Sequence, residues 1–151
     1  MNHRAIILIL DDEEHIIQSL GKTLQELGYA VIICLHPREA FDRMSKSEID
    51  LVISDLSMPA MNGIDFLMQT RNKCPNAARA LLVNPEERKI AGEAINRGIA
   101  DWFIDKPWDE QLVKISVPLI LKCQRMAQAN RVLEEMVNSR KEKNNEQAFA
   151  I

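Results

Sequence analysis

Five short apolar runs set the limits on what this chain can fold into: Ala5 to Leu10, Tyr29 to Leu35, Leu51 to Ser54, Ala80 to Val83 and Trp102 to Ile104. The first is too short for a lone buried helix and reads as a strand covered on both faces; the others follow it. Helical spacing fills the gaps. Glu14 to Leu27 sets Ile16, Ile17, Leu20, Leu24 and Leu27 on one face, and Gly28 is placed to stop it. Pro37 opens a second helix with Ala40, Phe41 and Met44 as its buried stripe. A third, Ile64 to Asn72, has Ile64, Leu67 and Met68 on its apolar face. Asn84-Pro85-Glu86-Glu87 reads as a helix start: Asn84 caps, Pro85 takes the first position and Glu87 reaches back. That helix would run to about Arg97 and end at Gly98. Pro107 then breaks the chain, and Asp109 begins a final helix. Strands alternating with helices call for a parallel sheet covered on both faces. Right-handed crossovers make it a doubly wound α/β domain.

Composition narrows the class. A chain of 151 residues suits one domain plus an appendage, and 46% hydrophobic residues fit a globular core. A net charge of -3 gives no general reason to expect nucleic-acid binding. The three cysteines, Cys34, Cys74 and Cys123, form no CxxC and leave one odd, which fits a reducing cytosol. Ile6 to Leu10 is far too short to span a membrane, and neither a signal peptide nor a transmembrane segment is expected.

In doubly wound sheets ligands bind beyond the carboxyl ends of the strands. Asp11, Asp12, Asp55, Val83, Asn84 and Lys106 all fall at or just past such ends. Three carboxylates repel one another; a hard divalent cation with room for water, such as magnesium, offsets that repulsion. Lys106 adds a positive charge on a long stem. Magnesium and an ammonium group beside a carboxylate can neutralise a transferring phosphoryl group. Asp55 would then be the nucleophile, Asp11 and Asp12 would hold the metal, and the backbone carbonyl of Ser57 would add a ligand. Taken singly, each piece has an ordinary reading. Asp11-Asp12-Glu13-Glu14 alone is a solvated helix start, Asp55 alone a turn residue, and Lys106 alone a surface lysine. The combination, in strand order, argues against those readings.

The set resembles the receiver domain of two-component response regulators over roughly residues 4 to 122. Its pieces are Leu8-Ile9-Leu10-Asp11-Asp12-Glu13, Leu51-Val52-Ile53-Ser54-Asp55-Leu56-Ser57-Met58-Pro59 with Asn62-Gly63, and Phe103-Ile104-Asp105-Lys106-Pro107-Trp108. The resemblance implies a flavodoxin-like fold with strand order 2-1-3-4-5. It implies phosphoryl transfer from a histidine kinase or phosphotransfer protein to Asp55, a magnesium site at Asp11, Asp12 and Asp55, and a phosphate-binding Lys106. Such receivers carry Thr or Ser where this chain has Val83, followed by a small residue where it has Asn84. Valine has no hydroxyl to donate to a phosphoryl oxygen. The family couples that bond to a switch aromatic, a position that the resemblance assigns to Phe103; Phe103 and Trp102 equally read as an ordinary core and surface pair. A phosphorylatable Asp55 with an altered switch is therefore expected.

The last helix outruns such a domain. Leu119, Cys123, Met126, Asn130, Leu133 and Val137 recur at alternating steps of four and three, a coiled-coil seam with Asn130 at an a position. A homodimer through these residues is the expectation; the other reading is a helix packing back on its own domain. Pro118 should kink the helix or separate its two parts, and the polar end from about Ser139 should fray. The division expected is residues 1–122 for the receiver and 123–151 for a signalling helix, with no output domain in the chain.

The leading reading is a cytoplasmic phosphoacceptor, not an enzyme with outside substrates, that signals by conformational change or dimerisation. The alternative is a pseudo-receiver acting as a phosphorylation-independent interaction module. An aspartyl phosphohydrolase is disfavoured because the position two after Asp55 is Ser57 rather than an acid. Direct DNA contact is disfavoured because no separate basic recognition domain follows.

Overall fold

The computed structural model describes residues 4–149; residues 1–3 and 150–151, the ends of the two expected spans, lie outside them. Five strands form one sheet: β1 (Ile6–Leu10), β2 (Ala30–Cys34), β3 (Leu51–Asp55), β4 (Ala78–Val83) and β5 (Trp102–Asp105). Five helices alternate with them: α1 (Glu14–Glu26), α2 (Pro37–Lys46), α3 (Gly63–Lys73), α4 (Arg88–Asn96) and α5 (Glu110–Phe149). Every pairing is parallel and the order is β2-β1-β3-β4-β5, the flavodoxin-like arrangement.

The period of two along each strand splits the core into two layers. Leu8, Leu10, Val52, Leu81 and Val83 face one side, where α2, α3 and α4 supply Ala40, Met44, Phe66, Leu67, Ala91 and Ala94. Ile7, Ile9, Leu51, Ile53 and Leu82 face the other, against Ile17, Leu20 and Leu24 of α1 and Val113, Val117, Ile120 and Leu121 of α5. Both faces of β1, β3 and β4 are thus covered, which is why these runs are continuously apolar.

The helix boundaries have local causes. Gly28 and Gly98 follow α1 and α4 at φ +97° and +73°, a conformation that glycine adopts without a Cβ clash. His36 Nδ1 accepts the Arg38 N–H at 3.1 Å, and Asn62 Oδ1 accepts the Ile64 N–H at 2.7 Å. Asp109 caps α5 by accepting from Gln111 N–H at 2.8 Å.

Five details depart from the sequence-based expectation. Met68 is 46% exposed; Phe66, beside Leu67, is the buried residue of α3. Strand β4 begins at Ala78 rather than Ala80, because the Arg79 guanidinium is satisfied inside the fold by the carbonyls of Ile99 (2.8 Å) and Gly98 (3.2 Å). Asn84-Pro85 opens a 3-10 turn, Pro85–Glu87, and the α-helix starts only at Arg88. Pro118 does not divide α5. Its ring is on the exposed side, where the carbonyl it leaves without a partner can reach water. Helix α5 also continues to Phe149, through the good helix formers Arg140-Lys141-Glu142-Lys143 and Glu146-Gln147, instead of fraying near Ser139. Its last buried residue is Leu121. No described helix is long and apolar enough to cross a membrane.

Candidate functional site

Three parallel strands deliver charge to one edge. Asp11 follows the last residue of β1, Asp55 is the last residue of β3, and Lys106 follows the last residue of β5. The Lys106 ammonium donates to Asp55 Oδ1 at 2.8 Å and lies 3.0 Å from Asp11 Oδ2. The three side chains are 10%, 5% and 0% exposed, in that order. Asp11 Oδ1 accepts the Glu13 N–H at 2.9 Å, which fixes the carboxylate plane. Its Oδ2 is buried and receives no aligned hydrogen bond, so the ion pair with Lys106 leaves it electrostatically engaged but undersatisfied. One oxygen each from Asp11, Asp12 and the Asp55 carboxylate lie within 4.8 Å of one another.

The charges strain one another. Burial pushes the Asp55 carboxyl up to about 6, with Asp11 and Asp12 adding to the rise and Lys106 opposing it. Burial likewise raises Asp11, against the Glu13 N–H and Lys106. Burial lowers Lys106, but Asp55 and Asp11 outweigh it and hold the ammonium above its ordinary value. One cation thus serves two buried carboxylates, and the third, Asp12, is exposed. An undersatisfied buried oxygen and three converging hard oxygen donors fit a small divalent cation.

Backbone packing sets Asp55 in place. A Cβ on Gly63 would fall against the Asp55 carbonyl oxygen and 2.9 Å from Leu56 Cα. The Gly63 N–H donates to the Leu56 carbonyl at 2.8 Å. The start of α3 therefore sits directly on the Asp55-Leu56 peptide, and only glycine leaves room for it.

The response regulator receiver domain family matches residues 7–117. This chain belongs to that family. Among curated relatives, it is 27% identical over 136 residues to the C4-dicarboxylate transport transcriptional regulatory protein DctD of Pseudomonas aeruginosa, covering 90% of this chain and 29% of DctD. It is 29% identical over 123 residues to the alkaline phosphatase synthesis transcriptional regulatory protein PhoP of Bacillus subtilis, covering 80% of this chain and 50% of PhoP. The chain thus spans from under a third to about half the length of these relatives. Among solved structures, it superposes on the signal receiver domain of an HD domain-containing protein from Pseudomonas fluorescens Pf-5 with TM-score 0.77 and 29% identity, covering 85% of this chain and 95% of that one.

The remaining receiver positions fall around this edge. Val83 closes β4, is fully buried and has only methyl groups to offer; its carbonyl accepts the Lys106 N–H at 2.7 Å. Phe103 is half-buried against the core layer that contains Val83. The Lys106-Pro107 peptide is cis. Asn84 is half-exposed and shares a small hollow with Glu13, Ile16, Lys106 and Trp108. Ser57 is exposed, two residues past Asp55, and its hydroxyl donates to Glu87 Oε2. Sequence reasoning took Glu87 for a helix cap only. Its cap role is present, with the Asn84 N–H donating to Oε1 at 2.9 Å, but the second oxygen serves a loop thirty positions away. Nothing in the linear pattern pairs those two residues. The contact of Gly63 with Asp55 likewise arises only in the fold, where the start of α3 meets the end of β3.

Proposed function

We propose that this receiver takes a phosphoryl group from the phosphohistidine of a histidine kinase, or of a phosphotransfer protein, onto Asp55. The observation that carries this is the Lys106 ammonium held between Asp55 and Asp11 on the carboxyl edge. A carboxylate oxygen of Asp55 attacks phosphorus. The phosphorus–nitrogen bond to the donor imidazole breaks, its electron pair returns to the ring, and an acyl phosphate forms. Lys106 keeps Asp55 ionised beforehand and neutralises the phosphoryl oxygens afterwards. Asp11, Asp12, Asp55 and the Ser57 carbonyl would hold magnesium, which supplies further charge neutralisation when bound. The protein modifies itself and turns over no outside substrate.

Beyond residue 122, α5 would act as a signalling helix. Leu119, Met126, Leu133 and Val137 are each more than half exposed, and Cys123 and Asn130 are exposed beside them. A seam of that spacing with no cover on its own domain supports a parallel pair with a second copy. The match to DctD, 136 residues of 151, must extend past Leu121 into this helix. The relatives named as transcriptional regulators are longer proteins, and this receiver would likewise govern an output. Val83 would alter how phosphorylation reaches Phe103; Val83→Thr should enlarge the conformational response to phosphorylation, read by the change in dimerisation on loading. An unchanged response would leave Val83 without that role. Val83 also supports the second reading, a pseudo-receiver, which the next measurement separates.

Intact mass after incubation with magnesium and a small acyl phosphate should show one added phosphoryl group on the wild type and none on Asp55→Asn. The absence of any adduct, with magnesium binding demonstrated and plausible kinases tried, would favour the phosphorylation-independent module.

A further inference from the structure

Glu87 is 9% exposed and uses both carboxylate oxygens. One is spent locally, on the Asn84 N–H at 2.9 Å, while the Glu87 N–H donates to the Asn84 carbonyl at 2.9 Å. The other accepts the Ser57 hydroxyl. Among the described residues, this is the one side-chain hydrogen bond between the loop that follows Asp55 and the turn that begins α4. The next residue, Arg88, reaches the opposite way and donates to Asp105 Oδ1 at 2.7 Å, beside Lys106. That pair is largely exposed and contributes little holding power. The Glu87 contact has an exposed hydroxyl at one end but a buried carboxylate at the other, and a hydrogen bond to a buried carboxylate is costly to leave unmade, so it is the stronger tie. Meanwhile β4 ends on Val83, whose side chain cannot hydrogen-bond to anything loaded on Asp55.

We propose that Glu87 is a positioning residue that couples the Asp55 loop to α4 through the Ser57 hydroxyl. The proposal rests on Asp55 being the phosphoacceptor with the Ser57 carbonyl in its metal site. A ligand that pulls on the Ser57 carbonyl, or a phosphoryl group two residues away, shifts the Ser57 backbone. The hydroxyl is carried with it, and the tie must stretch, break or draw the first turn of α4 along. The signal then leaves the site by a polar side-chain contact on the α4 side instead of through a hydroxyl at the end of β4.

The test is hydrogen–deuterium exchange of the peptide spanning residues 84–91 in the full chain. Wild type, Ser57→Ala and Ser57→Thr are compared, each alone and with magnesium plus beryllofluoride. Tryptophan fluorescence reports loading independently, since Trp108 shares a hollow with Lys106. Without ligand, Ser57→Ala should exchange about tenfold faster in this peptide, and Ser57→Thr should match wild type. On loading, wild type and Ser57→Thr should change their exchange about threefold or more, and Ser57→Ala should not, although its fluorescence shows it loaded. A loaded Ser57→Ala that responds like wild type would overturn the proposal, as would a loaded wild type with an unchanged peptide. If Ser57→Ala alone fails to load, the hydroxyl serves loading and not α4, and the proposal falls. If no variant loads, the phosphoacceptor reading itself fails and takes the coupling with it; the unliganded comparison still shows whether the tie holds α4.

Discussion

Gly63 shows how closely single residues are constrained around Asp55. The helix that follows is seated on the Asp55-Leu56 peptide, so a methyl group at Gly63 must displace the loop or the helix. Gly63→Ala should destabilise the domain by about 1–3 kcal/mol, the range for overpacking, and slow phosphorylation by shifting Asp55. Urea unfolding and the rate of mass gain check the two effects separately. Stability unchanged within error would mean the loop yields freely. Cys34 shows the opposite case, a reactive group type made inert: burial pushes its thiol up to about 11, so it packs as a small hydrophobe.

At the scale of elements, α5 has two halves with different faces. Up to Leu121 it buries Val113, Val117, Ile120 and Leu121 against the sheet. Beyond that its apolar residues point outward, and its contacts with the domain are polar: Gln124 donates to the Asn76 carbonyl at 2.7 Å, and Arg131 to Asn76 Oδ1 at 3.4 Å. Those few bonds do not cover the seam. Leu133→Glu should therefore leave the fold intact and shift the chain towards monomer, measured by sedimentation equilibrium. A wild type that stays monomeric at about 100 μM, within the micromolar range where modest interfaces associate, would sink the dimer reading.

For the whole molecule, the charged edge trades stability for function. A carboxyl raised from 3.8 to about 6 in the folded state binds its proton more tightly there than in the unfolded chain. Its contribution to stability is therefore greatest below about pH 4 and is lost as pH rises through about 6. The loss is on the order of 3 kcal/mol for Asp55 at neutral pH, and Asp11 shifts in the same direction. Asp55→Asn should raise Tm at pH 7.5 and flatten the profile between pH 4 and 7. Magnesium should raise the wild-type Tm at pH 7.5 and do much less for Asp55→Asn. Thermal melts across pH, with and without the ion, check all of this; a Tm indifferent to magnesium would remove the metal from the site.

Periodicity and punctuation in the sequence determined a great deal: five strands, five helices, the reach of Glu87 back to Asn84, the start of the last helix after Asp109, the stops at Gly28 and Gly98, and the convergence of Asp11, Asp55 and Lys106. These are local patterns or consequences of parallel topology, so a linear reading reaches them. Charge misled it at Arg79, which entered a strand because carbonyls from the Gly98-Ile99 loop satisfy the guanidinium. Spacing misled it at Met68, because the angular difference between neighbouring positions on α3 decides which side chain meets the core. Only the tertiary structure placed the Lys106 ammonium between two carboxylates, set Gly63 on the backbone of Asp55 and joined Ser57 to Glu87. Each of these is a contact of a few ångströms between residues distant in the chain or held by a turn. Sequence spacing determines which residues share an edge of the sheet, but side-chain reach and close packing determine which of them touch.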